Sequence, residues 1–329
     1  MIINTISNGD RFAYYCNGTN DDIELVTFIA RLRNNEFSNF TVEIIGNFKK
    51  SSADPITINN TGYTQITLDF ARCNRITSQG AFLTVNNVRV INCAVYHQNN
   101  ANDVDIYTFR GTNAVFENCR ITGAYKSGAC RGFSATNTKV INCSAELTNN
   151  DGTLYGIYGH AATVIGCSID VTSATASAYG IETVSSSLVS DSRFKGTSKS
   201  TATTASGNGG IGGGYYSNCE FIGIGAVKGQ GFYIRGGSWL TANNCIYRGY
   251  TKNTSTGWGV GLMGQNNDAL TAVMLGINCS QDALTGYSQT GSMQIPGGYG
   301  AYAGTFYAAP EVGANIKALA SYNRNRNTA

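Results

Sequence analysis

Glu117-Asn118-Cys119-Arg120-Ile121 is echoed 24 residues later by Ile141-Asn142-Cys143, and after another 24 by Ile165-Gly166-Cys167-Ser168-Ile169. The echo extends both ways. Upstream stands Ile91-Asn92-Cys93; downstream stand Ser217-Asn218-Cys219-Glu220-Phe221, Asn243-Asn244-Cys245-Ile246-Tyr247 and Ile277-Asn278-Cys279. Val189-Ser190-Asp191-Ser192-Arg193-Phe194 fits the frame with Ser192 in the cysteine slot, and Cys73 opens the series. Successive anchors are 20, 26, 24, 24, 25, 27, 26 and 34 residues apart. A second element recurs upstream of each anchor: Arg131-Gly132-Phe133-Ser134, Tyr155-Gly156-Ile157-Tyr158, Tyr179-Gly180-Ile181-Glu182, Gly209-Gly210-Ile211-Gly212, Gln230-Gly231-Phe232-Tyr233 and Trp258-Gly259-Val260-Gly261.

Repetition at a fixed period marks a stacked architecture. Each period here holds short strands separated by Gly, Asn, Ser and Thr, and runs such as Thr64 to Phe70 and Leu83 to Ile91 alternate in polarity. A period near 25 residues built of strands is one coil of a β-solenoid. Leucine-rich repeats have a similar length but need a dense leucine frame, and propeller blades need roughly 40 residues or more. The sequence therefore predicts an all-β chain, a right-handed parallel β-helix of about ten coils. In such a stack equivalent residues form columns about 4.8 Å apart. Cysteine packs well as a small interior hydrophobe, so the ten cysteines read as an inward ladder rather than a disulfide framework.

Composition agrees. Only 13% of the 329 residues are charged, while 40 are Gly and 35 are Asn; an average globular chain is about 25% charged. Like charges stacked in a column repel, and Gly and Asn are weak helix formers. The 42% hydrophobic content supplies a core and argues against disorder. A net charge of +3 gives no nucleic-acid footprint. No apolar run reaches the roughly 18 residues of a membrane span, and the polar start does not read as a signal peptide.

One helix is expected, over Asn20 to Arg33, with Thr19 or Asn20 as N-cap and Ile23, Val26, Ile29 and Leu32 near one face. It would close the first coil, whose strand edges and core are otherwise open. This divides the chain into an entry and capping helix (1–40), a β-helix (41–289) and a Gly/Ala/Tyr-rich tail (290–329) that caps the far end or contacts another subunit.

The entry Asn17-Gly18-Thr19-Asn20-Asp21-Asp22-Ile23-Glu24-Leu25, followed by a helix and by Thr41-Val42-Glu43-Ile44-Ile45-Gly46-Asn47-Phe48, resembles the opening of the pectate-lyase-like β-helix superfamily. Within it the chain is most similar to bacteriophage tailspike and tail-fibre proteins, over roughly residues 10 to 285. The resemblance implies a homotrimer on the virion surface, or otherwise extracellular, that binds or cuts a bacterial surface glycan and contacts other virion tail or capsid proteins. It is specific for fold and weak for function, because the superfamily holds hydrolases, lyases, epimerases and adhesins alike.

Function in a solenoid sits on outward columns. With cysteine inward, the positions one and three residues later face out. The third-position column reads Thr122, Glu146, Asp170, Lys195, Ile222, Arg248. Glu146 and Asp170 on adjacent coils form a candidate catalytic pair, since retaining glycosidases set two carboxyls about 5 to 5.5 Å apart. Lys195, with Arg120 and Arg193, would hold an acidic sugar. A solvated ladder of alternating charge is the plainer interpretation. A second outward column, Arg110, Ser134, Tyr158, Glu182, Gly212, Tyr233, offers an aromatic ring among polar groups, chemistry suited to sugars. Tyr107, Tyr155, Tyr179 and Trp258 share the inward parity and are expected to line a corner of the core. Gly207-Asn208-Gly209-Gly210-Ile211-Gly212 matches a dinucleotide pattern without the helix that pattern needs. His97 and His160 are isolated, and no set has metal-ligand spacing, so no cofactor or metal is expected. Three functions remain: a glycan receptor-binding protein, a polysaccharide depolymerase (hydrolase or lyase), or a purely structural virion or appendage component.

Overall fold

In the computed structural model, residues 10–34, 37, 39–52, 54–60, 65–98, 106–184, 186–234 and 240–251 are described in full. At 3–4, 239, 258–264, 273–281, 293–294 and 302–308 the strand backbone is described. The strands form two sheets, one of ten strands and one of twenty-one, parallel throughout except where Ile3–Asn4 pairs antiparallel with Asp10–Tyr15. The chain is thus a parallel β-solenoid with one short helix, and the ten-stranded sheet counts its coils.

One coil shows the plan. Leu154–His160 lies in the ten-stranded sheet, Ala161 turns the chain at φ 50°, and Thr163–Ile165 enters the larger sheet. Gly166 turns it again at φ 65°, Ser168–Ser173 continues the larger sheet, and Ala178–Val184 returns to the ten-stranded one. Pairing with the next coil keeps strict register: Ile141 faces Ile165, Ser144 faces Ser168 and Leu154 faces Ala178.

The repeated Asn of the Asn-Cys motif is the corner itself. Asn92, Asn118, Asn142, Asn218 and Asn244 all have φ between 51° and 60°, the left-handed region that Asn tolerates better than other non-glycine residues. Their amides bond along the stack, with Asn244 Nδ2 donating to Asn218 Oδ1 at 3.0 Å and Asn218 Nδ2 to Asp191 Oδ1 at 2.9 Å. The cysteine that follows is turned in: Cys93, Cys119, Cys143, Cys167, Cys219 and Cys245 are buried free thiols. Beside them Phe194, Phe221 and Tyr247 stack at 5.5 Å per step. Cys279 lies where the backbone alone is described.

The helix runs Asp21–Asn34 at the N-terminal end. It buries Leu25, Ile29 and Leu32 and leaves Ile23 and Val26 exposed, which corrects the expected face. A helix advances 100° per residue, so each three-residue step falls back about 60°, and Ile23 lies half a turn from Leu32. Leu25, Ile29 and Leu32 follow the i, i+4, i+7 rule and stay together. The buried acids of the entry motif are structural. Asp21 accepts hydrogen bonds from the backbone N–H groups of Asn17, Gly18 and Lys49, and Asp22 from Ser51 Oγ and the Ser52 N–H. Past residue 290, Met293–Gln294 and Tyr302–Ala308 add rungs to the two sheets.

Candidate functional site

The ten-stranded sheet places its outward side chains by way of an unpaired position that recurs, without a shift of register, in each coil from Tyr107–Thr112 onward. Pairing runs Tyr107 to Arg131 and then Phe109 to Phe133, Arg131 to Tyr155 and then Phe133 to Ile157, Tyr155 to Tyr179 and then Ile157 to Ile181. The skipped residues are Thr108, Gly132, Gly156 and Gly180, and these face inward together with the apolar residue that follows. A Cβ on Gly156 would lie 2.1 Å from Ile169 Cγ2 and 2.6 Å from the Gly180 carbonyl; on Gly180 it would lie 2.6 Å from the Gly209 carbonyl. Two successive inward residues reverse the parity of everything upstream.

Tyr107, Arg131, Tyr155 and Tyr179 therefore form an outward, half-buried column. This overturns the expectation that the tyrosines before the glycine line the core; the Trp258 side chain lies outside the described residues. The column stands beside a second one, Arg110, Ser134, Tyr158, Glu182. Across the two, Tyr155 stacks on Tyr179 with centroids 5.0 Å apart and meets Tyr158 edge to face at 5.8 Å. The Arg131 guanidinium rests 4.8 Å from the Tyr158 ring and 5.5 Å from the Tyr155 ring. Arg110 lies 5.2 Å from the Tyr107 ring and donates to its hydroxyl at 3.3 Å. Burial would raise the Tyr107 phenol, but its hydrogen bonds with Arg110 and Thr84 and the Arg110 charge outweigh it and hold the group below the ordinary tyrosine value.

Glu182 belongs to the same column but is only 2% exposed. Its next neighbour is Ile211 rather than Gly212, and Ile211 in turn faces Tyr233. The frame slips here because Gly210 takes the inward apolar slot, facing Ile181 and Phe232. A Cβ at Gly210 would lie 2.5 Å from the Phe232 ring and 2.9 Å from Phe221. Large aromatics from the neighbouring strands fill the space an aliphatic residue fills elsewhere.

The larger sheet carries the carboxylates. Glu146 is paired in register with Asp170, and Asp170 with Lys195, as the anchor parity predicts. Lys195 Nζ lies 2.7 Å from Asp170 Oδ2, so Asp170 is already matched by a cation. Glu146 is exposed. In the adjoining column Arg193 Nε donates to Glu220 Oε2 at 2.8 Å, and Arg248 pairs with the other oxygen of Glu220. Lys195 thus stands on a different sheet from Arg110, Tyr158, Glu182 and Tyr233, and these candidates make two separate places, not one. Among the described residues there is no group of three or more His, Cys, Asp or Glu that could hold a metal ion. No helix is long and apolar enough to cross a membrane among them either.

The sequence misassigned Tyr107, Tyr155 and Tyr179 and left Arg131 unassigned. Their signal was the Gly-apolar pair, repeated once per coil, which breaks strict alternation in the same place each time.

No family model matches the chain, and no curated protein matches it. Among solved structures it is similar to the crystal structure of tailspike protein 3 of bacteriophage CBA120, at 8% identity and a TM-score of 0.23. The match covers 89% of this chain and 57% of that one, so the chain spans little more than half of that protein's length. A likeness at that TM-score carries no assignment of a site.

Proposed function

We propose that the chain is a tailspike-like receptor-binding protein that recognises a bacterial surface polysaccharide through the tyrosine–arginine face of its ten-stranded sheet. The observation that carries this reading is the cluster of Tyr155, Tyr158 and Tyr179 with Arg131 laid across two of the rings. Rings give a sugar apolar surface for its C–H groups, while phenol hydroxyls and guanidinium N–H groups meet its hydroxyls. Strands in register hold these groups on a rigid lattice, so little order is lost when an extended chain lies along it. The resemblance in the entry motif and coil adds the setting: a homotrimer on the virion surface, joined to other tail or capsid proteins.

The test is binding of the purified chain to bacterial surface polysaccharides on an array and to intact cells. Tyr155→Ala and Tyr158→Ala should each lower retention about tenfold, since one aromatic contact is worth about 0.5–1.5 kcal/mol beyond its buried area. Background signal on both array and cells defeats the reading and favours a structural component. A depolymerase reading keeps one observation in its favour, the register pairing of Glu146 with Asp170. It requires new reducing ends, or unsaturated products for a lyase, and loss of both in Glu146→Gln.

A further inference from the structure

The two arginines of the tyrosine face rest on rings, as Arg75 does on Tyr96 of the larger sheet, and differ from the ion-paired arginines of that sheet. On the larger sheet Arg11 and Arg72 pair with Glu43, Arg89 with Glu117, and Arg193 and Arg248 with Glu220. Arg131 and Arg110 have no carboxylate partner among the described residues. Among the described residues Arg110 bonds a phenol. Arg131 is held by two rings, and its Nε is buried without a hydrogen-bond partner. A guanidinium carries five donors in a planar fork that matches a carboxylate or phosphate, and a buried donor left unpaired is costly.

The charges around them point the same way. Outward ionisable groups described on this sheet, besides the tyrosines, are Arg110, Arg131, His160, Glu182 and Lys228. The single carboxylate, Glu182, is 2% exposed, so the exposed part of the face is cationic. We infer that this face takes an acidic polysaccharide, with a carboxylate or phosphate substituent received by the Arg131 guanidinium and a neighbouring acidic group steered by Arg110. This rests on the glycan reading above and assigns its ligand class. Nucleic acid shares the anionic charge, but it presents a phosphate at every nucleotide and is held by a longer track of cations.

The experiment uses the full chain and paired probes: polygalacturonate, polysialic acid and a phosphate-bearing teichoic-type polymer. Each is offered native and with its charge removed, by carboxyl reduction or by hydrolysis of the phosphate. A single-stranded oligonucleotide is the competitor. Expected is binding to at least one native polymer, weakened tenfold or more by removal of its charge and by Arg131→Ala. Arg131→Lys should recover part of it, because a point charge replaces the fork. Rising salt should weaken wild type more steeply than Arg131→Ala, with the variant's melting curve matching wild type as the check on folding. Equal affinity for the neutral polymer, an Arg131→Ala variant that binds like wild type, or preference for the oligonucleotide overturns the acidic assignment. The first two results leave the glycan reading standing. Binding to no polymer, charged or neutral, overturns the glycan reading as well.

Discussion

Gly156→Ala tests whether the two successive inward residues, glycine then an apolar side chain, are what turns the tyrosines outward. The added methyl would be placed 2.1 Å from Ile169 Cγ2, 2.6 Å from the Gly180 carbonyl and 3.3 Å from Val171 Cγ1. Ordinary contact begins near 3.4 Å, so the Ile169 side chain must yield by more than 1 Å and the Gly180 strand by nearly that much. A rotamer change can move the isoleucine, but the carbonyl belongs to a strand paired on both sides, to Leu154–His160 and to Ser206–Gly212. Overpacking of this kind costs about 1–3 kcal/mol, against about 0.8 kcal/mol gained by burying one methyl group. A net loss of up to about 2 kcal/mol follows. Because each coil of a solenoid couples mainly to its neighbours, the loss should be local. Hydrogen exchange should speed up in Cys130–Thr136, Leu154–His160 and Ala178–Val184, while Ile56–Asn59 and Leu83–Asn86 keep their protection. Ser134→Ala, on the same face with no such contacts, should change stability by less than about 0.5 kcal/mol. If Gly156→Ala matches wild type in both urea midpoint and exchange, the position does not require a glycine facing inward and the outward assignment of Tyr155 loses its physical cause.

Thiol labelling should separate the cysteines. Cys16 and Cys73 are half-buried whereas the ladder cysteines are buried, and reagents attack the thiolate. The bond from Cys16 lowers the Cys73 thiol and raises that of Cys16, so iodoacetamide followed by peptide mapping should find Cys73 modified first and Cys93 to Cys167 only after unfolding. The Tyr107 phenol, held below its ordinary value, should give an early step in a titration followed at 295 nm, and Tyr107→Phe should remove that step. The sign follows from linkage: an acid whose folded value is depressed adds stability as pH rises towards its unfolded value near 10, and that increment is lost as pH falls through the folded value. Arg110→Ala should weaken both effects, since it removes one of the two hydrogen bonds and the charge that lower the phenol. Lys195→Ala removes the ion pair to Asp170, but both side chains are partly exposed, so the melting midpoint should move by the equivalent of less than about 1 kcal/mol.

The coil and its columns were legible because the Asn-Cys anchor is an invariant of geometry: an Asn that accepts positive φ, then a small side chain that fits inside the turn. From that point parity counting worked as far as the alternation lasted, which placed Glu146, Asp170 and Lys195 correctly in one column. It failed upstream of Gly132, Gly156 and Gly180, where two consecutive inward residues reset the count, and at Gly210, where Phe232 and Phe221 occupy the slot of a missing side chain. Both failures arise from close packing against neighbouring strands of the same sheet and of the opposite one, which counting alternate residues does not register. The helix face failed for a local reason, since steps of three residues drift around a helix and steps of three and four alternately do not.

The two faces resolve their charges in opposite ways, and the contrast bears on which of them meets a ligand. On the larger sheet a cation on one rung is answered by an anion on a nearby one: Glu43 lies between Arg11 and Arg72, and Glu220 between Arg193 and Arg248. Such columns neutralise themselves, and exposed pairs of this kind contribute little to stability. The arrangement suits a surface that must stack like upon like without repulsion. The ten-stranded sheet had the same option, because Glu182 occupies the column of Arg110 and Tyr158. That carboxylate is instead sequestered, while the arginines rest on tyrosine rings. Cation–ring contacts of this kind are worth about 0.5–1 kcal/mol at exposed sites and leave the guanidinium fork open to an acid. Where five arginines of the larger sheet are matched by carboxylates, the ten-stranded sheet keeps two cations available beside four tyrosine rings, which is the combination an acidic sugar chain needs.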